Sequence, residues 1–170
     1  MNFAASEIID AQMNLADLGL KLMTKPIVFG GMAMEHYWLR ERGHDIDLFV
    51  SLEDYEALAA KYPDGRKDSW GDLGVEVNGF EVWRSIWKLD YQYFLAGAVE
   101  YDRYYVLSIE KLLLTKALAA GVSEKHRVDL ALIANHIWRQ NANPEILAYM
   151  NGHVESYLKV ADGFVYKGEY

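Results

Sequence analysis

Two carboxylates, Asp45 and Asp47, stand two residues apart in the stretch 44–50, and that spacing is the strongest chemical signal in the chain. In an extended strand the side chains alternate, so Asp45, Asp47 and Phe49 share one face while His44, Ile46, Leu48 and Val50 share the other. Carboxylates this close repel and raise each other's pKa unless a positive charge lies between them. A divalent cation supplies that charge. Magnesium takes hard oxygen ligands at about 2.0–2.1 Å and keeps positions open for substrate phosphates, so side chains at i and i+2 can converge on it. The competing reading is an exposed strand face with solvated aspartates. What precedes the pair bears on the choice: Ile27, Val28 and Phe29 form a β-prone run behind Pro26, and Gly30-Gly31 then opens a helical segment. A strand feeding a helix through glycines lets backbone N–H groups approach a ligand closely, and with the positive end of the helix dipole they suit a phosphate.

The elements that must hold these residues follow from periodicity. Over 6–23, Ile8, Gln12, Leu15, Leu18, Gly19 and Leu22 fall on one helical face with Ser6 as N-cap, which predicts a helix over a sheet. A second helix is expected over 32–41, with Met34, Tyr37 and Trp38 at helical spacing and a polar end at Arg40, Glu41, Arg42 and Gly43. His36 on it reads as a surface or packed histidine. Ser51-Leu52-Glu53-Asp54 matches a capping box, and Leu52, Tyr55, Leu58, Ala59 and Tyr62 keep one face apolar up to Pro63. Residues 63–68 read as a polar turn or loop. The stretch 73–84 predicts two strands about Asn78-Gly79, with Val75, Val77, Phe80 and Val82 inward and Glu81, Trp83 and Ser85 on the opposite face.

Between 83 and 105 lie Trp83, Trp87, Tyr91, Tyr93, Phe94, Tyr101, Tyr104 and Tyr105, a density that suits core packing or else a base-stacking platform or acceptor wall. Ser108 caps the next helix, with Glu110 in its first turn and Ile109, Leu112, Leu113, Ala117 and Ala120 as its buried stripe. Lys116 lies within that stripe, so it either snorkels along its stem or carries its ammonium to an anion. Ser123-Glu124 starts another helix with Leu130, Ile133, Ala134, Ile137 and Trp138 apolar. On its other side Lys125 and Asp129 stand at i, i+4, where a surface pair is worth roughly a few tenths of a kcal/mol; Arg127 is out of phase and solvent-facing. Asn143-Pro144 caps a final amphipathic helix through Ile146, Leu147, Met150, Val154, Tyr157 and Leu158, and 161–170 carries no legible signal.

The order apolar strand, Gly-Gly, helix, then Asp45-Ile46-Asp47-Leu48 resembles the nucleotidyltransferase superfamily of polymerase-beta-like fold, especially its small bacterial branch with AbiEii-type toxins and antibiotic nucleotidyltransferases. The resemblance implies that Gly30 and Gly31 hold a nucleoside triphosphate and that Asp45 and Asp47 hold magnesium. It also implies a third carboxylate from a nearby strand, as metal ligand or general base. The family's position for that acid holds Trp83, and Glu81, two residues earlier on the same face, is the candidate, with Glu76 behind it. Lys116, in a Leu-Leu-x-x-Lys-x-x-Ala context, and Lys125, in Lys-x-x-x-Asp with Asp129 orienting it, are the implied triphosphate contacts. Arg40 and Arg42 lie near the place of a family arginine, and neither matches its spacing cleanly. The implied reaction moves a nucleoside monophosphate from the triphosphate to an acceptor hydroxyl on a small molecule, tRNA or protein. A toxin–antitoxin partner is compatible with it. The alternative is a catalytically degenerate relative that binds nucleotide or a partner protein without turnover.

The 170 residues, 52% of them hydrophobic, suffice for a real core. The expected fold class is α/β (α+β), a small mixed sheet with flanking helices. A single domain over 1–170 is expected, its sheet-containing core at 1–106 and a helical C-terminal part at 107–160 packed on it. With no cysteine there is no disulfide framework and no thiolate site. The start lacks a basic leader and no stretch reaches the ~18 apolar residues of a membrane span, so a cytoplasmic protein is expected. A net charge of −8 argues against a broad nucleic-acid surface, while an acidic groove would favour a cationic acceptor such as an amino sugar. The histidines His36, His44, His126, His136 and His153 form no zinc-binding spacing, and there is no P-loop, dinucleotide fingerprint or internal repeat.

Overall fold

All three side chains of β1 (Ile27–Phe29) are buried, as a strand covered on both faces requires. In this computed structural model, which describes residues 5–69, 72–141, 144, 145 and 148, β1 lies inside a seven-stranded mixed sheet. It pairs antiparallel with β2 (Ile46–Phe49), Phe29 opposite Asp47, and parallel with β9 (Tyr105–Val106). Beyond β2 the sheet continues with β5 (Phe80–Trp83), parallel to it, then β4 (Asp72–Val77) and β3 (Arg66–Ser69), each antiparallel to its neighbour. On the other side β8 (Val99–Glu100) closes the edge beside β9. A separate small hairpin joins β6 (Ser85–Ile86) to β7 (Leu89–Asp90). The helices α1 (Ala5–Gln12), α2 (Gly30–His36), α3 (Leu52–Lys61), α4 (Tyr91–Leu95), α5 (Ile109–Ala119) and α6 (Glu124–Asn141) complete a mixed α/β fold of the α+β class.

Local rules account for much of this. Asn78 and Gly79 take φ of 49° and 83°, the two left-handed positions of a type I′ turn, and the strands they join bury Val75, Val77, Phe80 and Val82. Ser51 caps α3 by accepting from the Asp54 N–H at 3.2 Å. Asp54, buried, does more than close that box: its carboxylate accepts from the Met23 and Thr24 N–H groups at 2.7 and 3.1 Å and from the Thr24 hydroxyl at 2.7 Å. The irregular segment before β1 is thereby tied to α3. Phe49 stacks between Phe29 and Phe94 with ring centroids 4.0 and 3.9 Å away.

Several expectations are corrected. The helix expected over 6–23 stops at Gln12 and resumes as one 3₁₀ turn, Leu15–Leu18, because the Asn14 side chain accepts from Ala16 N–H and Gly19 turns left-handed at φ 69°. The helix expected over 32–41 begins at Gly30 and ends at His36. The Tyr37 hydroxyl is anchored on the Leu107 carbonyl at 2.9 Å, and Trp38 takes φ 57° with its ring exposed. Residues 66–69 are an edge strand of polar composition, which carries no apolar alternation to betray it. The aromatic stretch 83–105 contains β6, β7, α4 and β8, elements too short for periodicity to show. Its Tyr91, Phe94 and Tyr104 are core.

On α5 the buried residues are Leu112, Thr115 and Lys116, whereas Ala117 is exposed; on α6 they are Asp129 and Ile133, with Ala134 and Trp138 exposed. The inner faces of both helices are partly polar, so an apolar stripe misplaces them. Contacts divide the chain into two units, Met1–Ile133 and Ala134–Tyr170. The division falls inside α6, and α5 and the start of α6 belong to the same unit as the sheet. The second unit is described only as the end of α6 and positions 144, 145 and 148; most of the helix expected after Asn143, and 161–170, lie outside the described residues.

Candidate functional site

Gly30 begins α2 with φ 60°, a conformation that only glycine adopts without strain. A Cβ there would lie within 2.6 Å of the Asp47 Cγ and closer still to Oδ2. The glycine is therefore what allows the Asp47 carboxylate to sit against the start of the helix, where it accepts from the Gly31 N–H. Gly31 thus donates to a protein carboxylate at the point where the sequence suggested a phosphate. Burial pushes Asp47 up most, the negative Glu81 pushes it further and Asp45 adds a little. Lys116 and the Gly31 N–H pull it back, and the result is about 7 against an ordinary 3.8.

Glu81 is the register partner of Asp47 across the parallel β2–β5 pair. Residues opposite each other on adjacent strands project to the same face, so the two carboxylates are neighbours by construction. Lys67 on β3 approaches both Glu81 and Glu76 at 2.8 Å. Trp83 lies two residues further along the same face, its ring against Gly74, where a Cβ would come within 2.8 Å of it. Asp45 precedes β2 and is exposed; it reaches Asp47 only as a nearby charge.

Lys116 does not snorkel. Its ammonium is buried and lies 2.8 Å from Asp129 Oδ2. Arg40 clamps the same carboxylate, Nε to Oδ1 at 2.5 Å and Nη2 to Oδ2 at 2.8 Å, in the two-pronged geometry that suits guanidinium and carboxylate. For Asp129 burial is the largest influence and would raise its pKa. The hydrogen bonds and charges of Arg40 and Lys116 outweigh it and hold the carboxyl at about 2. Asp129 is thus paired with Lys116 and Arg40. Lys125 is exposed near Gly43, where a Cβ would be 3.8 Å from its ammonium. Arg127 is exposed and bonds Glu124.

These groups meet in one cavity of about 240 Å³ that Gly30, Asp47, Glu81, Lys116 and His126 line together with Trp83 and Trp87. His126 was not singled out from sequence, because nothing in helical spacing marks a histidine that turns inward. Burial lowers its pKa, the neighbouring Lys116 lowers it further and Asp129 opposes the effect, so the uncharged form is favoured. Its Nδ1 is enclosed with no hydrogen-bond partner among the described residues. A larger cavity, about 710 Å³, follows the segment 15–26 and Arg103, and no carboxylate is among its lining residues.

The cavity combines two carboxylates in register, a buried ammonium held by a third carboxylate, an imidazole and two indoles. Among the described residues no group of three or more histidine, aspartate and glutamate side chains is placed to hold a metal ion. Asp47 and Glu81 are the adjacent pair, and the Glu81 charge that adds to burial in raising Asp47 is the kind of repulsion a divalent cation relieves. No helix among the described residues is long and apolar enough to cross a membrane. No protein-family model, curated protein or solved structure matches the chain.

Proposed function

We propose that this protein is a magnesium-dependent nucleotidyltransferase, moving a nucleoside monophosphate from a nucleoside triphosphate to an acceptor hydroxyl. One observation carries the reading: Asp47 and Glu81, in register on adjacent strands, share a single cavity with the buried ammonium of Lys116. Phosphoryl chemistry of this type needs positioning and charge neutralisation more than covalent help from protein. Magnesium, when bound, neutralises the phosphate oxygens, and Asp47 and Glu81 are the residues to hold it, with Asp45 adding negative charge nearby. Two protein ligands suit an ion that keeps several waters or phosphate oxygens of its own.

Lys116 keeps N–H donors beyond the one given to Asp129 and offers them to a phosphate oxygen. Asp129, itself clamped by Arg40, fixes its ammonium. The acceptor hydroxyl oxygen bonds to the α-phosphorus as the bond to the pyrophosphate oxygen breaks, and its proton passes to a Glu81 carboxylate oxygen. Lys125, exposed beside Gly43, contacts the departing pyrophosphate only at the rim.

A second reading, nucleotide or partner binding without turnover, is favoured by Lys67. Its ammonium at 2.8 Å already engages the Glu81 oxygen that would take the proton. Incubation with magnesium, α-labelled nucleoside triphosphates and a cell extract distinguishes the two. Transfer of label with pyrophosphate release, lost in Asp47→Asn, supports the transferase, and the labelled product identifies the acceptor as small molecule, tRNA or protein. Magnesium-dependent binding without transfer supports the second reading. Absence of any magnesium-dependent binding sinks both.

A further inference from the structure

Trp87 and Lys88 occupy the two central positions of the β6–β7 turn with φ of 51° and 63°. Left-handed conformations are unfavourable for residues that carry a Cβ, most of all for bulky ones. The same chain solves the same problem with Asn78-Gly79 in the neighbouring hairpin, so a tryptophan is not what the turn itself calls for. The turn is held by Asp72, whose carboxylate accepts from the Trp87 N–H at 2.7 Å and the Lys88 N–H at 3.0 Å. Strain retained by dedicated hydrogen bonds marks a residue whose side chain is needed where it is.

The indole so presented is 54% exposed, yet it lines the cavity of Asp47, Glu81 and Lys116. Trp83 lines the same cavity, held against Gly74. Of the aromatic residues in 83–105, these are the two that border it. Glu81 and Trp83 share a strand face two residues apart, a separation of about 7 Å along β5, comparable with the ribose that separates a base from its α-phosphate. Ile86, between the two indoles in sequence, adds an apolar wall.

We propose that Trp87, with Trp83, is a stacking platform for the nucleobase of the nucleotide. The inference rests on the nucleotidyltransferase reading and adds to it the part of the substrate bound away from the acids. A rigid indole costs little entropy to use and stacks on any base through its π face. Recognition there is consequently tolerant of base identity, with purines preferred for their larger rings.

The test compares binding of magnesium–ATP and of magnesium–tripolyphosphate, which lacks base and ribose, to the parent, Trp87→Ala, Trp87→Phe and Trp87→Gly. Trp87→Ala weakens ATP binding by about tenfold or more, the range of one lost stacking contact, and leaves tripolyphosphate unchanged. Trp87→Phe retains most of the ATP affinity. Trp87→Gly loses ATP affinity like the alanine variant while melting at or above the parent's temperature, because glycine relieves the left-handed strain; a binding loss that merely followed unfolding could not show that split. If Trp87→Ala binds ATP as the parent does, or if the parent binds tripolyphosphate as tightly as ATP, the platform is wrong and the phosphate site stands. If the parent binds neither ligand, the nucleotidyltransferase reading fails and the platform with it.

Discussion

Asp47 is flanked by Gly30 and by Glu81, and the two neighbours have separable consequences. Burial, with the Glu81 charge added to it, holds the folded carboxyl at about 7 against 3.8, so the folded chain binds its proton more tightly than the unfolded one. Stability contributed by the protonated form is full below about pH 4, falls as pH rises towards 7 and stays low above it. In chelator, denaturant melts at pH 5 and pH 8 should therefore show a loss that Asp47→Asn largely abolishes. Its size is on the order of 2 kcal/mol after allowance for solvent at the cavity mouth. An equal loss in the variant would assign the titration to another group. Gly30 is tested by comparison with Gly79, since both have positive φ but a Cβ at Gly79 meets nothing within 4 Å. Gly79→Ala should cost roughly 1 kcal/mol for backbone strain alone, and Gly30→Ala roughly 2 kcal/mol more because the methyl displaces the Asp47 carboxylate. Equal costs in urea melts would mean that the carboxylate moves aside freely.

At the level of elements, Asp129 joins α6 to α5 through Lys116 and to the turn after α2 through Arg40. From sequence alone, Lys116→Met keeps or raises stability, since methionine fills an apolar stripe. The observed pairing reverses that sign: the change leaves a buried carboxylate with one partner fewer and should cost roughly 1–3 kcal/mol. Arg40→Met removes both prongs of the clamp and should cost more. Because Asp129 sits at about 2 when folded, its contribution is present above about pH 4 and is lost as pH falls towards 2; acid titrations of the variants should show that step reduced. Triphosphate affinity should also fall in Lys116→Met, by roughly tenfold or more. Unchanged stability would show that Arg40 alone satisfies Asp129. This cluster also shows where sequence reading stops. The strand into Gly-Gly, the Ser51 cap and the Asn78-Gly79 hairpin were legible because each follows from a few adjacent residues. Glu81 was legible as an acid on the right face. Arg40 was not assignable, since its partner lies 89 residues away, and the Trp87 turn defeats propensity because it is built against it.

Over the whole sheet, order β3-β4-β5-β2-β1-β9-β8 joins local pairings to distant ones. The β4–β5 hairpin closes across two residues, β5 then joins β2, and β9 must return to β1 from far along the chain, Val28 opposite Val106. Closing long loops costs entropy before distant contacts repay it, so local pairings tend to form first. Asp47 and Glu81 lie on the early strands, whereas Lys116 and Asp129 follow β9, and the cavity is therefore completed late. Val82 and Val106 are both fully buried, and truncating either to alanine should cost roughly 2 kcal/mol, enough for a reliable rate analysis. Val82→Ala should act mainly by slowing folding, and Val106→Ala mainly by speeding unfolding. A saturating nucleotide with magnesium, bound only by the completed cavity, should slow unfolding and leave the folding rate alone. Stopped-flow chevrons of the parent and both variants, with and without ligand, measure all of this. A Val106→Ala chevron displaced mainly on its folding arm would place β9 in the nucleus and overturn the order in which the acids and the cations of the cavity come together.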